Sequence, residues 1–191
     1  MAGSKSSTGI TLIQLLVTLA IISVLSSYSS SAFTNLIERE RALRAMATFK
    51  SLLQYARSSA VYQHTPITVC AIDNSMKCSK DWGQRNNIVV FSDDNKNRAL
   101  DLEEQSLRSL TWPAYNGFLR WRASLGRSYI SFMATGNTWQ NGSLYYCPAD
   151  RNPQHAAVLI VAQSGRSYLS YDSNLDGIDE DRHGKNLTCE W

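Results

Sequence analysis

The chain has 191 residues, 43% of them apolar and 18% charged, with ten Gly and four Pro. That length holds one core of ordinary size or two small domains, and the composition excludes collagen, a Pro-rich linker protein and a highly charged disordered chain. Nineteen Lys and Arg against sixteen Asp and Glu leave +3, too little for totals alone to argue a nucleic-acid partner.

Charge is spread unevenly. Between Lys5 and Glu38 no residue carries one, and residues 10–25 are close to continuously apolar. As a helix those residues rise about 24 Å, slightly under a bilayer core, and the uncharged stretch to Phe33 can extend them. A single N-terminal anchor is expected. The serines before Ala32 could instead serve a secretory signal cleavage site, which would make the product a soluble periplasmic protein. Against this, the chain continues past Phe33 without a Gly or Pro break. Leu43, Met46, Phe49, Leu53, Ala56 and Ala60 recur at spacings of three and four, while Arg39, Arg44, Lys50 and Arg57 fall elsewhere. The spacing predicts an amphipathic helix with one buried stripe, continuous with the apolar part over roughly 50 residues. Pro66 should end it.

From Thr65 onward the texture changes to short β-rich runs at 67–72, 88–91, 119–123, 129–133, 143–147, 157–162 and 167–171. In Leu119-Arg120-Trp121-Arg122-Ala123 the alternation puts the two arginines on one face and Trp121 on the other. A long helix packed on antiparallel sheet, an α+β arrangement, is predicted. Four cysteines in an exported domain read as two disulfides. Of three connectivities, Cys70–Cys78 with Cys147–Cys189 is the economical one, the first stapling the loop 71–77 and the second tying the C-terminus to the sheet. A zinc site is disfavoured, because neither pair has the short gap of a zinc knuckle.

Gly9-Ile10-Thr11-Leu12-Ile13-Gln14-Leu15-Leu16-Val17, behind a polar leader, resembles the signal of type IV pilins and type II secretion pseudopilins. The resemblance implies cleavage by prepilin peptidase after Gly9, N-methylation of Ile10, and an apolar helix that serves first as membrane anchor and then as packing surface in a filament core. It divides the chain into a leader (1–9), a transmembrane or filament-core half-helix (10–33), an amphipathic half-helix (34–64) and a β-rich periplasmic domain (65–191). The family usually carries Glu where this chain has Gln14, the position that answers a neighbouring subunit's α-amino charge during assembly. The helix-kinking Pro of major pilins is missing as well. Both departures favour a minor, low-copy subunit. In the soluble region Val69-Cys70, Trp82, residues 88–93, the Asn/Asp-rich turn to Glu104, Gly136, Asn141-Gly142, Cys147 and residues 159–166 resemble the GspH/FimT group of minor pilins and pseudopilins.

What the group implies is a FimU-like place in the tip or priming complex of a type IV pilus, with a GspH-like secretion pseudopilin and a FimT-like DNA-binding competence pilin as alternatives. Expected partners are other minor pilins, the major pilin, prepilin peptidase and the inner-membrane assembly platform. The expected location is the inner membrane, single-pass with the C-terminal domain in the periplasm, and then the pilus or pseudopilus. The group's DNA motif, Gly-Arg-x-Arg, is half present, since Tyr168 stands where the second Arg should follow Arg166. Arg120, Arg122 and Arg127 interleave with Trp121 and Tyr129 and could meet phosphates and bases, but a solvated strand face explains them as well. DNA binding is expected to be weak or undetectable.

Two stretches have the texture of calcium loops. Residues 93–104 place Arg98 where the sharp turn needs Gly; residues 172–183 have Gly177 and oxygen donors at Asp172, Asn174 and Asp176 but end in His183 instead of Glu. Asx-rich turns that satisfy their own backbone account for both, and no cofactor is expected. His64, His155 and His183 lack a nucleophile context and no phosphate loop follows a strand, so no catalytic residue is assigned.

Overall fold

The computed structural model describes residues 11–83, 87–111 and 117–190, with the backbone alone at 27–32. Gly9 and Ile10, the expected cleavage and methylation sites, lie outside the described residues. Helix α1 runs Leu12–Gln63, and the chain divides into two compact units, Met1–Ile37 and Glu38–Trp191.

In the first unit α1 is exposed on all sides, from Leu12 (77%) and Leu16 (57%) to Phe33 (62%) and Leu36 (58%). Three of its hydroxyls bond within the helix. Thr18 Oγ1 donates to Leu15 O at 2.8 Å, Ser23 Oγ to Leu19 O at 2.7 Å and Ser26 Oγ to Ile22 O at 2.8 Å. Among the described residues no helix is long and apolar enough to cross a membrane; residue 10 and the side chains of residues 27–32, within the expected span at 10–33, lie outside the described residues.

In the second unit α1 buries Ala42, Ala45, Met46, Phe49, Leu52, Leu53, Ala56 and Ala60. The stripe is broader than the predicted one, and Leu43 lies at its half-buried margin. Small alanines alternating with Met46 and Phe49 let the sheets approach the helix closely. The helix ends at Gln63, with His64 in the left-handed region (φ 56°) and Pro66 two residues on, a stop signal of the αL kind.

Among the described residues eight strands form two antiparallel sheets. One has the order β3-β2-β1-β5, from β1 (Ile67–Ile72), β2 (Asn87–Ser92), β3 (Ser106–Thr111) and β5 (Tyr129–Phe132). The other has the order β4-β6-β7-β8, from β4 (Gly117–Ala123), β6 (Gly142–Pro148), β7 (Ala157–Val161) and β8 (Ser167–Leu169). Inward residues of both sheets join the helix stripe in one core: Val69, Phe91, Ile130 and Phe132 from the first, Leu119, Trp121, Leu144, Tyr146 and Leu159 from the second. Trp82 is buried against Trp121, ring centroids 5.7 Å apart, and its indole N–H donates to Ser128 O at 2.9 Å.

A smaller core lies on the other face of the second sheet, where Cys147, Val158 and Ile160 meet Leu187 and Cys189 of the C-terminal segment. The Cys147–Cys189 disulfide fixes that segment to β6, and Cys70–Cys78 closes the loop after β1. Each cross-link stabilises by about 2–4 kcal/mol. Strand β3 was not among the sequence runs. Its partner register jumps between Val90 and Phe91, so the half-buried Leu107 and Leu110 are three apart and the period-2 signal of a strand is lost.

Gly136 and Gly165 show why glycine stands in the two turns that meet at the helix. Both have positive φ, 77° and 76°. A Cβ on Gly165 would lie 2.0 Å from Gly136 O, the same carbonyl that accepts a hydrogen bond from Arg57 Nε at 2.9 Å. Gly165→Ala is therefore expected to destabilise the protein by about 2 kcal/mol or more, read as a lowered urea midpoint. Wild-type stability in that variant would show that the turns do not need to touch.

Candidate functional site

Two surfaces of the described chain carry functional promise: the apolar helix of the first unit and the arginines around β4. The helix begins with a reciprocal pair. Thr11 N–H donates to Gln14 Oε1 at 3.0 Å, and Gln14 N–H to Thr11 Oγ1 at 3.4 Å. This is the capping box Thr-x-x-Gln, in which each side chain satisfies a backbone donor that the first turn would leave orphaned. Gln14 was singled out in the sequence for the charge it lacks; its capping role was legible in the same four residues and went unread.

The domain grips α1 through polar contacts that flank the buried stripe. Arg39 donates from Nη1 to Ala156 O at 2.9 Å and from Nη2 to Asp179 Oδ1 at 2.5 Å. Asp179 is 1% exposed. Its second oxygen accepts from Ser170 Oγ at 2.8 Å, and Ser170 Oγ accepts in turn from Val158 N–H at 2.9 Å. Buried carboxylate oxygens need hydrogen-bond donors, and both oxygens of Asp179 have one. Arg39, grouped in the sequence with the solvated face, thus links the helix to β7 and the C-terminal segment.

Three of the four arginines considered for DNA come together. Arg120, Arg122 and Arg127 line one open groove of about 640 Å³ with Lys80, Trp121 and Ser128. Arg122 also stacks over Tyr145, 5.5 Å from the ring centroid. Arg166 does not join them; it is exposed in the turn between β7 and β8, where its backbone carbonyl accepts from Ala162 N–H at 2.9 Å. Lys80 was not anticipated, since it sits forty residues from Arg120 in sequence.

The acidic loops are knit to their own backbone. Asp172 accepts from the N–H groups of Leu175, Asp176 and Gly177, and Asp176 from Ile178 N–H. Asp176 Oδ2 also accepts from the side-chain amides of Asn174 and Asn186. The hydrogen bond from Asn186, with the others, holds Asp176 below the usual carboxylate range. Among the described residues no group of three or more acidic, His or Cys side chains is placed to hold a metal ion. In the loop 93–104, Asp93 is buried and accepts from Thr68 Oγ1 at 2.8 Å, while Asn95 and Asn97 donate to Asp101. His155 is buried beside Asp150, 3.9 Å away, in a short 3-10 turn.

Glu104 closes that loop at a cost. Its Oε2 accepts from Asp101 N–H at 3.2 Å, and its Oε1 is buried with no partner among the described residues. Burial raises its pKa above the ordinary 4.5, the negative charges of Asp93 and Asp101 push the same way, and the Asp101 N–H opposes them. A raised carboxyl favours the fold fully below 4.5 and loses that contribution as pH rises through its folded value. Wild type should therefore lose stability relative to Glu104→Gln between pH 4.5 and 7; parallel melting curves for the two proteins across that range would remove the assignment.

Against known proteins, the family model described as type II transport protein GspH matches residues 45–165, well over half of the chain. Among solved structures, the type IV minor pilin FimU of Pseudomonas aeruginosa is similar at 22% identity with a TM-score of 0.52, covering 71% of this chain and 92% of that one. The minor pseudopilin EpsH from the Type 2 Secretion System of Vibrio cholerae gives 12% identity and a TM-score of 0.48, over 67% of this chain and 94% of that one. A comparison with curated protein sequences finds no significant match. The likeness to FimU is one of fold, a long helix laid on antiparallel sheet.

Proposed function

The chain belongs to the family of the type II transport protein GspH, the minor pilins and pseudopilins, and from that membership we propose that it is a minor pilin of a type IV pilus, built through its N-terminal helix into the tip or priming complex. The observation that carries this reading is the helix of the first unit, which exposes Leu12, Ile13, Leu15, Leu16, Val17, Leu19, Ile21, Ile22, Val24 and Leu25 together. So much apolar surface has to be covered. Burying it is worth on the order of 10 kcal/mol or more, of which association costs leave a part. Helices of sister subunits are suited to the task, because every described hydroxyl on this surface already bonds to its own helix and asks nothing of the partner.

Before assembly the same residues hold the subunit at the inner membrane with the domain in the periplasm, after prepilin peptidase has cut behind Gly9 and Ile10 has been methylated. The two disulfides suit an oxidising compartment. The subunit acts by packing and performs no turnover. A secretion pseudopilus is the alternative place for a member of the same family. No ion is needed in the loop 172–183, since its carboxylates are satisfied by backbone N–H groups.

Mass spectrometry of the mature protein is expected to find residues 1–9 removed and a methyl group on Ile10. Leu16→Asp, which puts a charge into the packing surface, should lower recovery in sheared pili at least tenfold with the domain still folded. Deletion should abolish twitching and leave protein secretion intact; the reverse result would assign the chain to the secretion pseudopilus. Calcium at millimolar concentration is expected to leave Tm unchanged, and a rise of several degrees would assign the loop to the ion.

A further inference from the structure

We propose that the outer edge of β4 is the docking site for an extended acidic segment of a neighbouring subunit, which adds to the second sheet as a fifth strand. The inference rests on the assembly reading above and names where a partner's domain would attach.

Strand β4 ends the order β4-β6-β7-β8, and among the described residues no strand pairs with its other side. The register shows which backbone groups are spare. Ser124 N–H donates to Asn141 O at 2.9 Å, and Ala123 stands opposite Gly142. Hydrogen-bonded pairs in an antiparallel ladder alternate, so Phe118, Arg120, Arg122 and Ser124 bond to β6. The N–H and C=O groups of Leu119, Trp121 and Ala123 then face away from it. Pro148, which has no N–H, sits opposite Gly117, as this alternation requires. The result is a run of outward donors and acceptors of the kind that accepts an added strand.

The same edge borders the groove of about 640 Å³, and next to it a second hollow of about 440 Å³ extends along Leu119, Phe118 and Gly83. Trp121 lines the first; it is 7% exposed, and its indole N–H is buried with no acceptor among the described residues. Lys80, Arg120, Arg122 and Arg127 line that groove, and Asp81 lines the adjoining hollow with Lys80 and Arg120. The Asp81 Oδ1 accepts from Gly83 N–H, and one carboxylate against four cations leaves the edge positive. Among the described residues Lys80, Arg122 and Arg127 meet no carboxylate. Cations of this kind usually blunt an edge against self-pairing. Here they select a strand of opposite sign, which brings carboxylates to the groove and completes the ladder in one step. An oligonucleotide answers the charge and leaves the spare backbone groups unpaired.

The test uses the full mature chain in detergent and the labelled peptide Val-Asp-Val-Glu-Val-Asp-Val, followed by fluorescence anisotropy. Saturable binding that weakens with salt is expected. Lys80→Glu combined with Arg127→Glu, both exposed positions, should weaken it at least tenfold with Tm unchanged. A peptide of the same charge with alternate backbone nitrogens methylated, which cannot join a ladder, should lose at least tenfold in either of its two registers. Equal binding of parent and methylated peptides, or a single-stranded oligonucleotide that binds as tightly as the parent, makes the groove a plain polyanion surface and overturns the proposal, as does no binding of the parent. Pili formed normally by the double variant but lost on deletion would sink the docking site and leave the minor-pilin reading standing.

Discussion

Apolar surface that water cannot tolerate is distributed differently over the two parts of α1, and the rest of the molecule follows from how each is covered. From Ala42 to Ala60 the apolar residues keep to one stripe, and two sheets close over it. Met46, Phe49, Leu52 and Leu53 are each at most 3% exposed, and each such side chain contributes about 1.5–3 kcal/mol. From Leu12 to Leu36 they run around the helix, where no single sheet could cover them. One polypeptide element is therefore a core helix in the domain and an interface ahead of it. That asymmetry favours an assembly component, because a domain without partners gains nothing from keeping such a surface.

Polar chemistry in the domain serves this division. The Asp179 carboxylate is held by Arg39 and Ser170, so the C-terminal segment, α1 and β7 meet at one buried anion. The Cys147–Cys189 disulfide secures the same segment from the opposite end. Arg57 reaches past the stripe to Gly136 O, where the turns carrying Gly136 and Gly165 come together. These contacts lie along the flanks of the buried stripe and orient the helix under the sheets. Hydrophobic burial alone is non-directional and would leave the rotation of a helix about its own axis loosely set.

Much of the fold was legible because its signals are periodic or local. Spacings of three and four in residues 43–60 located the stripe, Pro66 located the helix end, and alternation at 119–123 located β4. Seven of the eight strands could be read as runs; β3 could not, because a bulge puts Leu107 and Leu110 out of phase. Contacts between residues far apart in sequence were beyond reach. Arg39 and Asp179 are 140 residues apart, and nothing in the local sequence of either names the other. Lys80 likewise lines one groove with Arg120, Arg122 and Arg127, and nothing in the sequence around it points to them. The residue types that ligate an ion also cap their own turns, and composition does not record which partner their oxygens choose.

Gln14 illustrates how one substitution can change two interactions at once. A carboxylate there would be drawn both to the first-turn N–H groups and to any nearby α-amino charge, and in a medium of low dielectric the charge–charge attraction dominates. The amide has no such pull and settles into its own helix, with Oε1 on Thr11 N–H. The first turn is then ordered without help from a neighbour, and the force that would draw a second subunit's amino terminus to this position is much reduced. In the proposed assembly, a subunit so built would pack mainly through shape and apolar contact, which are short-ranged and act once the helices already lie side by side. Positioning it beforehand then falls to longer-ranged forces on the domain, and the clustered cations at the edge of β4 are a source of them.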